Sequence, residues 1–168
     1  MDQPEKKKAP FNGGGFTTAA LLAPGIAVSV WLLGMTATEL SIGPGEIGTL
    51  IGSLLFMTLI FGIWGALPSL LFGGLVLAVI RRMPWFERPM AVVFMIGGAV
   101  AAGLYVLTGL GVAELSPGAA MFFAPWAAPN FLGGDQDGNS PANWWVVASL
   151  LLSGATAGLI YSAFAKRG

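Results

Sequence analysis

Apolar positions in this chain come in four long blocks. Residues 16–37, 47–80, 90–112 and 143–165 carry no charged side chain, and the charged residues sit outside these blocks. About 20 apolar residues coiled as an α-helix match the ~30 Å hydrocarbon core of a bilayer. The pattern predicts an all-α fold, a polytopic transmembrane four-helix bundle forming one membrane domain over residues 16–168. Residues 1–15, polar and ending in Gly13, Gly14 and Gly15, are expected to form a disordered cytoplasmic tail.

The first block is longer than a signal-peptide core of roughly 7–15 residues. Met35 and Ala37 make a poor small-x-small cleavage site, so the block reads as a retained anchor. The second block is overlong, with 34 uncharged residues between Glu46 and Arg81. Two spans with a turn would need more than about 40 residues, so one long helix is expected. Its first turns split into an apolar face (Ile47, Leu50, Ile51, Leu54, Leu55) and a small or polar one (Gly48, Thr49, Gly52, Ser53). Pro68 is expected to kink the remainder, as Pro24 does in the first block.

Between the third and fourth blocks lies a long connection, residues 113–141, that is unusually apolar. Phe122, Phe123, Trp126 and Phe131 are spaced along it among prolines, so it is too broken to span and too apolar to be solvated. It is expected to lie in the outer interface or over the helix ends, with Trp and Phe at headgroup depth. These four aromatics are the candidate contacts for a ligand or a partner.

Charge sets the orientation. All eight lysines and arginines fall in the N-terminal tail, the 81–88 turn or the C-terminal tip. The other two connections hold Glu39, Glu46, Glu114, Asp135 and Asp137, with no basic residue. Under the positive-inside rule both termini are cytoplasmic. A bacterial inner membrane is the expected location.

Composition then narrows the chemistry. Charged residues make up 10% of the chain and hydrophobic ones 55%, against about 25% charged in soluble domains. Net charge is zero, which offers nothing to nucleic acid. Cysteine and histidine are both absent, removing the usual ligands of haem, zinc, copper and iron–sulfur clusters, so no cofactor or metal is expected. Asp135, Asp137 and Asn139 copy the opening spacing of an EF-hand loop, but Ser140 replaces its glycine and Val146 its bidentate glutamate. A polar turn is the reading there.

No ionisable residue lies mid-span, where coupled transporters and voltage sensors place one. Nor does any lysine lie near a serine within the spans, so no catalytic site is expected. Small residues instead recur at one-turn spacing: Gly48 and Gly52, Ala99 and Gly103, and Gly154, Gly158 and Ser162. Such faces let membrane helices approach closely, within the bundle or against a partner. The leading expectation is a non-catalytic accessory or scaffolding subunit packed against other membrane subunits or a second copy. An uncoupled carrier or channel working as an oligomer, with Pro24 and Pro68 near its pathway, is the alternative. A binder of a lipid or lipophilic ligand beneath the outer loop is the third.

Overall fold

The computed structural model describes residues 11–39, 47–83, 91–127 and 141–165. Among these residues five α-helices form: α1 (Gly13–Glu39), α2 (Ile47–Arg82), α3 (Ala91–Leu115), the short α4 (Pro117–Phe123) and α5 (Pro141–Ala165). A 3-10 turn, Pro125–Ala127, follows α4. Among the described residues, four helical segments are long and apolar enough to cross a membrane: Gly13–Gly34, Gly62–Arg82, Ala91–Leu115 and Trp145–Ala165. Their outward faces are apolar too. Leu59, Ile63, Leu67, Leu71 and Leu75 run along the exposed side of α2, as a lipid-facing surface requires.

Helix boundaries differ from the hydropathy blocks where a capping residue decides them. α1 starts at Gly13, within the expected tail, because the Asn12 side-chain oxygen accepts the Gly15 N–H at 2.8 Å. The Asn12 amide also donates to the Phe164 carbonyl at 3.2 Å, tying the start of α1 to the end of α5. α5 opens on Pro141, a residue suited to a first turn. α2 runs unbroken for 36 residues through Pro68, about 54 Å at 1.5 Å per residue. The single overlong helix is what the uncharged block required. α1 is likewise continuous through Pro24.

The expected connection after α3 is only partly a loop. α3 itself continues to Leu115, and Ser116 then caps α4, its hydroxyl accepting the Ala119 N–H at 3.4 Å with Pro117 in the first turn. α4 and the 3-10 turn fold back along α3. The Tyr105 hydroxyl donates to the Phe123 carbonyl at 3.1 Å, and Ala120 and Ala124 are fully buried. Phe131 and the Asp135–Asp137–Asn139 stretch lie outside the described residues.

The four long helices form a ring in the order α2, α1, α5, α3, which closes where α3 meets α2. Small residues set three of these contacts. Between α3 and α5, β-carbons on Gly98, Gly154 or Gly158 would strike the backbone of the opposite helix. Between α1 and α2, a β-carbon on Gly65 would lie 2.6 Å from Pro24 Cβ, and one on Gly25 would lie 2.9 Å from the Thr58 methyl. Between α1 and α5, Gly15 admits Phe164, Gly34 admits Trp145, and the Ser153 hydroxyl bonds the Ala23 carbonyl. Without a hydrophobic drive between helices in lipid, such close backbone approach supplies the packing energy.

Candidate functional site

The fourth contact, α2 with α3, is the loosest. Near Arg81 the two helices meet through Gly97, where a β-carbon would lie 2.5 Å from Ile80 Cδ1. Further along, the space between them is filled by aromatic rings from α4 and the 3-10 turn. Phe72 of α2 meets Tyr105 at 5.9 Å and Phe123 at 6.4 Å between ring centres, and Tyr105 meets Trp126 at 5.9 Å. Gly109 makes room for this wedge, since a β-carbon there would lie 2.7 Å from Trp126 Cζ2 and 2.8 Å from Ala124 Cβ.

Inside the ring is a cavity of about 200 Å³, walled by α1, α2, α3 and α5 and roofed by Phe122, Phe123 and Trp126. Its wall is almost wholly apolar. α1 contributes Ala19, Ala20, Ala23 and Ala27, all buried, and their small side chains leave space along this stretch of the wall. The wall runs from Phe16 to Trp31 on α1, from Ile80 to Trp64 on α2 and from Tyr161 to Val146 on α5. At 1.5 Å per residue each path is about 22–24 Å, so the cavity is long and narrow.

Its two ends differ. At the Arg81 end, Phe94 and Tyr161 meet edge-to-face at 4.9 Å, Phe16 lies 6.3 Å from Tyr161, and Leu77 and Ala19 complete a buried cluster. At the other end, Trp64 (49% exposed) and Phe122 (77% exposed) stack at 6.4 Å with an interplanar angle of 17°. They are the exposed lining side chains among the described residues. The cavity is therefore blind at one end and open between α2 and α4 at the other.

The few polar groups in the wall are mostly spent. Ser149 donates to the Val146 carbonyl at 2.7 Å, Ser153 to Ala23, and Tyr105 to Phe123. Among the described residues, two indole nitrogens are fully covered, those of Trp31 and Trp126. The Trp126 indole lies against Tyr105, whose hydroxyl is its polar neighbour. A buried unpaired donor costs roughly 1–3 kcal/mol, so the Trp31 indole is where an acceptor would be stabilising.

Comparison of the chain with protein-family models, with curated proteins and with solved structures found no match.

The structure divides the residues singled out from sequence. Phe122 stands at the mouth, and Phe123 and Trp126 form the roof, so three of the four loop aromatics share one site. Pro24 and Pro68 are both buried in its wall. Gly154 and Gly158 pack within the bundle, but their partners on α3 are Phe94, Gly98 and Ala102. Ala99 and Gly103 are one position off that face, and a β-carbon on Gly103 would meet only Leu151 at 3.8 Å. A β-carbon on Gly48 or Gly52 would find open space among the described residues, so neither sets a helix contact there. Trp31, Trp64 and Tyr105 were not singled out from sequence. The i, i+4 series Ala19, Ala23, Ala27 was the available signal for the cavity wall.

Proposed function

We propose that this chain is a non-catalytic integral membrane protein whose helix bundle holds one lipophilic molecule beneath the α4 roof. The observation that carries this reading is the long apolar cavity. Water is a poor occupant, since dry apolar cavities of about 150 Å³ are known to stay dry and take up hydrocarbon. Left empty, a gap of this size between helices forfeits the packing contacts of its wall. In a bilayer, hydrocarbon is always at hand to fill it.

Positive-inside topology puts the Arg81 end in the cytoplasm and the Trp64–Phe122 mouth in the outer half of the bilayer. In a bacterial inner membrane the molecule would be taken from, or delivered to, the outer leaflet. The blind end favours holding over conduction. The test is purification in mild detergent, followed by native mass spectrometry and organic extraction. One lipophile per chain is expected, and it should be lost when Ala27→Phe fills the cavity. A chain that carries no lipophile and takes up none when offered would overturn the reading.

A second reading, an accessory subunit, is supported by the Ile47–Ile60 segment of α2. Ile51, Leu55, Phe56 and Leu59 are exposed there, beside the unpacked Gly48 and Gly52. Mass measurement in detergent tests it. A strict monomer without a co-purifying subunit, in wild type and Gly52→Leu alike, would remove its support.

A further inference from the structure

A lipophile held beneath the α4 roof, as proposed above, has to get in. We infer that the seam between α2 and α4 is a lateral gate. On that reading α2 bends at Pro68 and carries Trp64 away from Phe122, while α4 stays on α3, and the cavity opens sideways to the bilayer.

Size makes a moving wall necessary. The cavity holds about 200 Å³, little more than the ~150 Å³ that admits benzene. That volume is strung along a wall running from Phe16 to Trp31, so it is narrow as well. A molecule as large as a membrane lipid fits only if one side gives way.

The sides are not equally able to give. α3 and α5 meet backbone to backbone at Gly98, Gly154 and Gly158. α1 is held to α5 where Gly15 admits Phe164 and Gly34 admits Trp145, and by the Ser153 hydroxyl on the Ala23 carbonyl. α2 meets α3 closely at Gly97 and Ile80, near the floor. Toward the mouth, α4 faces α2 through two ring pairs, Trp64 with Phe122 and Phe72 with Phe123, each 6.4 Å between centres. Such pairs part and re-form without leaving a polar group unsatisfied, at about 0.5–1.5 kcal/mol each beyond their burial.

α4 belongs to α3. Ser116 alone separates the two helices, the Tyr105 hydroxyl donates to the Phe123 carbonyl, and Gly109 admits Trp126 and Ala124. Ala120 and Ala124 are fully covered. The weak line therefore runs between α4 and α2. The hinge lies on that line too. Proline has no N–H, so Pro68 leaves the Trp64 carbonyl without its helical donor in the turn that carries the mouth residue. Gly65, in the same turn, rests on the Pro24 ring of α1, which acts as a fulcrum.

The chain has no cysteine, so an introduced pair reacts alone. Trp64→Cys with Phe122→Cys, in the full chain in mild detergent, is joined by a short bis-methanethiosulfonate reagent that reduction cuts again. Two probes are offered. Xenon, followed by its own NMR line, fits the cavity as it stands. Anthracene, followed by energy transfer from the tryptophans, needs the wall to move; signal that persists in Ala27→Phe is micelle background. The link should leave xenon binding unchanged and slow anthracene uptake by an order of magnitude or more, and reduction should restore the rate. Phe72→Cys with Phe123→Cys gives the same measurement should the first pair fold poorly in its reduced form. Pro68→Ala, which returns a donor to the Trp64 carbonyl, should slow anthracene several-fold and leave xenon alone. Linking Leu115→Cys to Ala119→Cys, exposed positions at the corner between α3 and α4, should change neither probe.

Anthracene entering the linked protein as fast as the reduced one, with xenon still bound, overturns the gate and leaves the held-lipophile reading standing. Uptake slowed by the Leu115–Ala119 link would make α4 a flap on its own corner and overturns the gate as well. A wild-type chain that binds neither probe removes both.

Discussion

Gly98 of α3 and Gly154 of α5 face one another so closely that a β-carbon on either would fall on the other's carbonyl group. The Phe94 carbonyl and Gly158 meet in the same way one turn away, which makes α3 with α5 the closest-packed pair of the ring. The cavity lies on the opposite side of this pair from lipid, so its width depends on their spacing. Gly154→Leu should therefore destabilise the fold by about 3 kcal/mol, the upper range for overpacking, since backbone and not a flexible side chain must move. Gly52→Leu, placed where nothing lies within 4 Å, should change stability by less than about 0.5 kcal/mol. Reversible unfolding in mixed micelles measures both.

Pro24 and Gly65 should be coupled in a double-mutant cycle. Gly65→Ala places a methyl 2.6 Å from the Pro24 ring carbon and is expected to cost about 1–3 kcal/mol. In a Pro24→Ala background the ring is gone, and the same change should cost at least about 1 kcal/mol less. Equal costs in the two backgrounds would separate the residues.

The Tyr105 hydroxyl and Gly109 both hold the α4 roof against α3. Tyr105→Phe keeps the ring contacts and removes the donor to Phe123, for a loss of about 1 kcal/mol. Gly109→Leu drives a side chain into Trp126 and Ala124 and should lift the segment altogether. Hydrogen exchange over Pro117–Phe123 should rise modestly in the first variant and by orders of magnitude in the second, with α5 unchanged in both.

Ser153 bridges α5 to α1 through the Ala23 carbonyl. Bonds of this kind between membrane helices contribute about 0.6 kcal/mol, because the separated helices find other partners. Ser153→Ala should thus lower stability by no more than about 1 kcal/mol. A loss of several kcal/mol would mean that α1 depends on this bond to stay docked.

Much of the fold could be read from residue order alone. Four uncharged blocks, each near bilayer length, dictate four helices because a backbone in hydrocarbon must satisfy its own hydrogen bonds. The 34 uncharged residues before Arg81 require one overlong helix by length arithmetic. Phe122, Phe123 and Trp126 stood out because aromatic residues are out of place in a solvated connection, and they do meet at one site. What sequence could not supply was partnership. Periodicity marks a small-residue face without saying what covers it, so Gly154 and Gly158 inside the bundle look the same on paper as Gly48 and Gly52 outside it. The cavity is further from view still, because it is a difference between volumes on helices far apart in the chain. Ala19, Ala23 and Ala27 leave space only where α2 stands away from α3, and that gap is set by which glycines let the other helices close. Hydropathy thus determined how many helices cross. Tertiary packing decided that they enclose an apolar space, because close approach at three contacts of a ring leaves the surplus at the fourth.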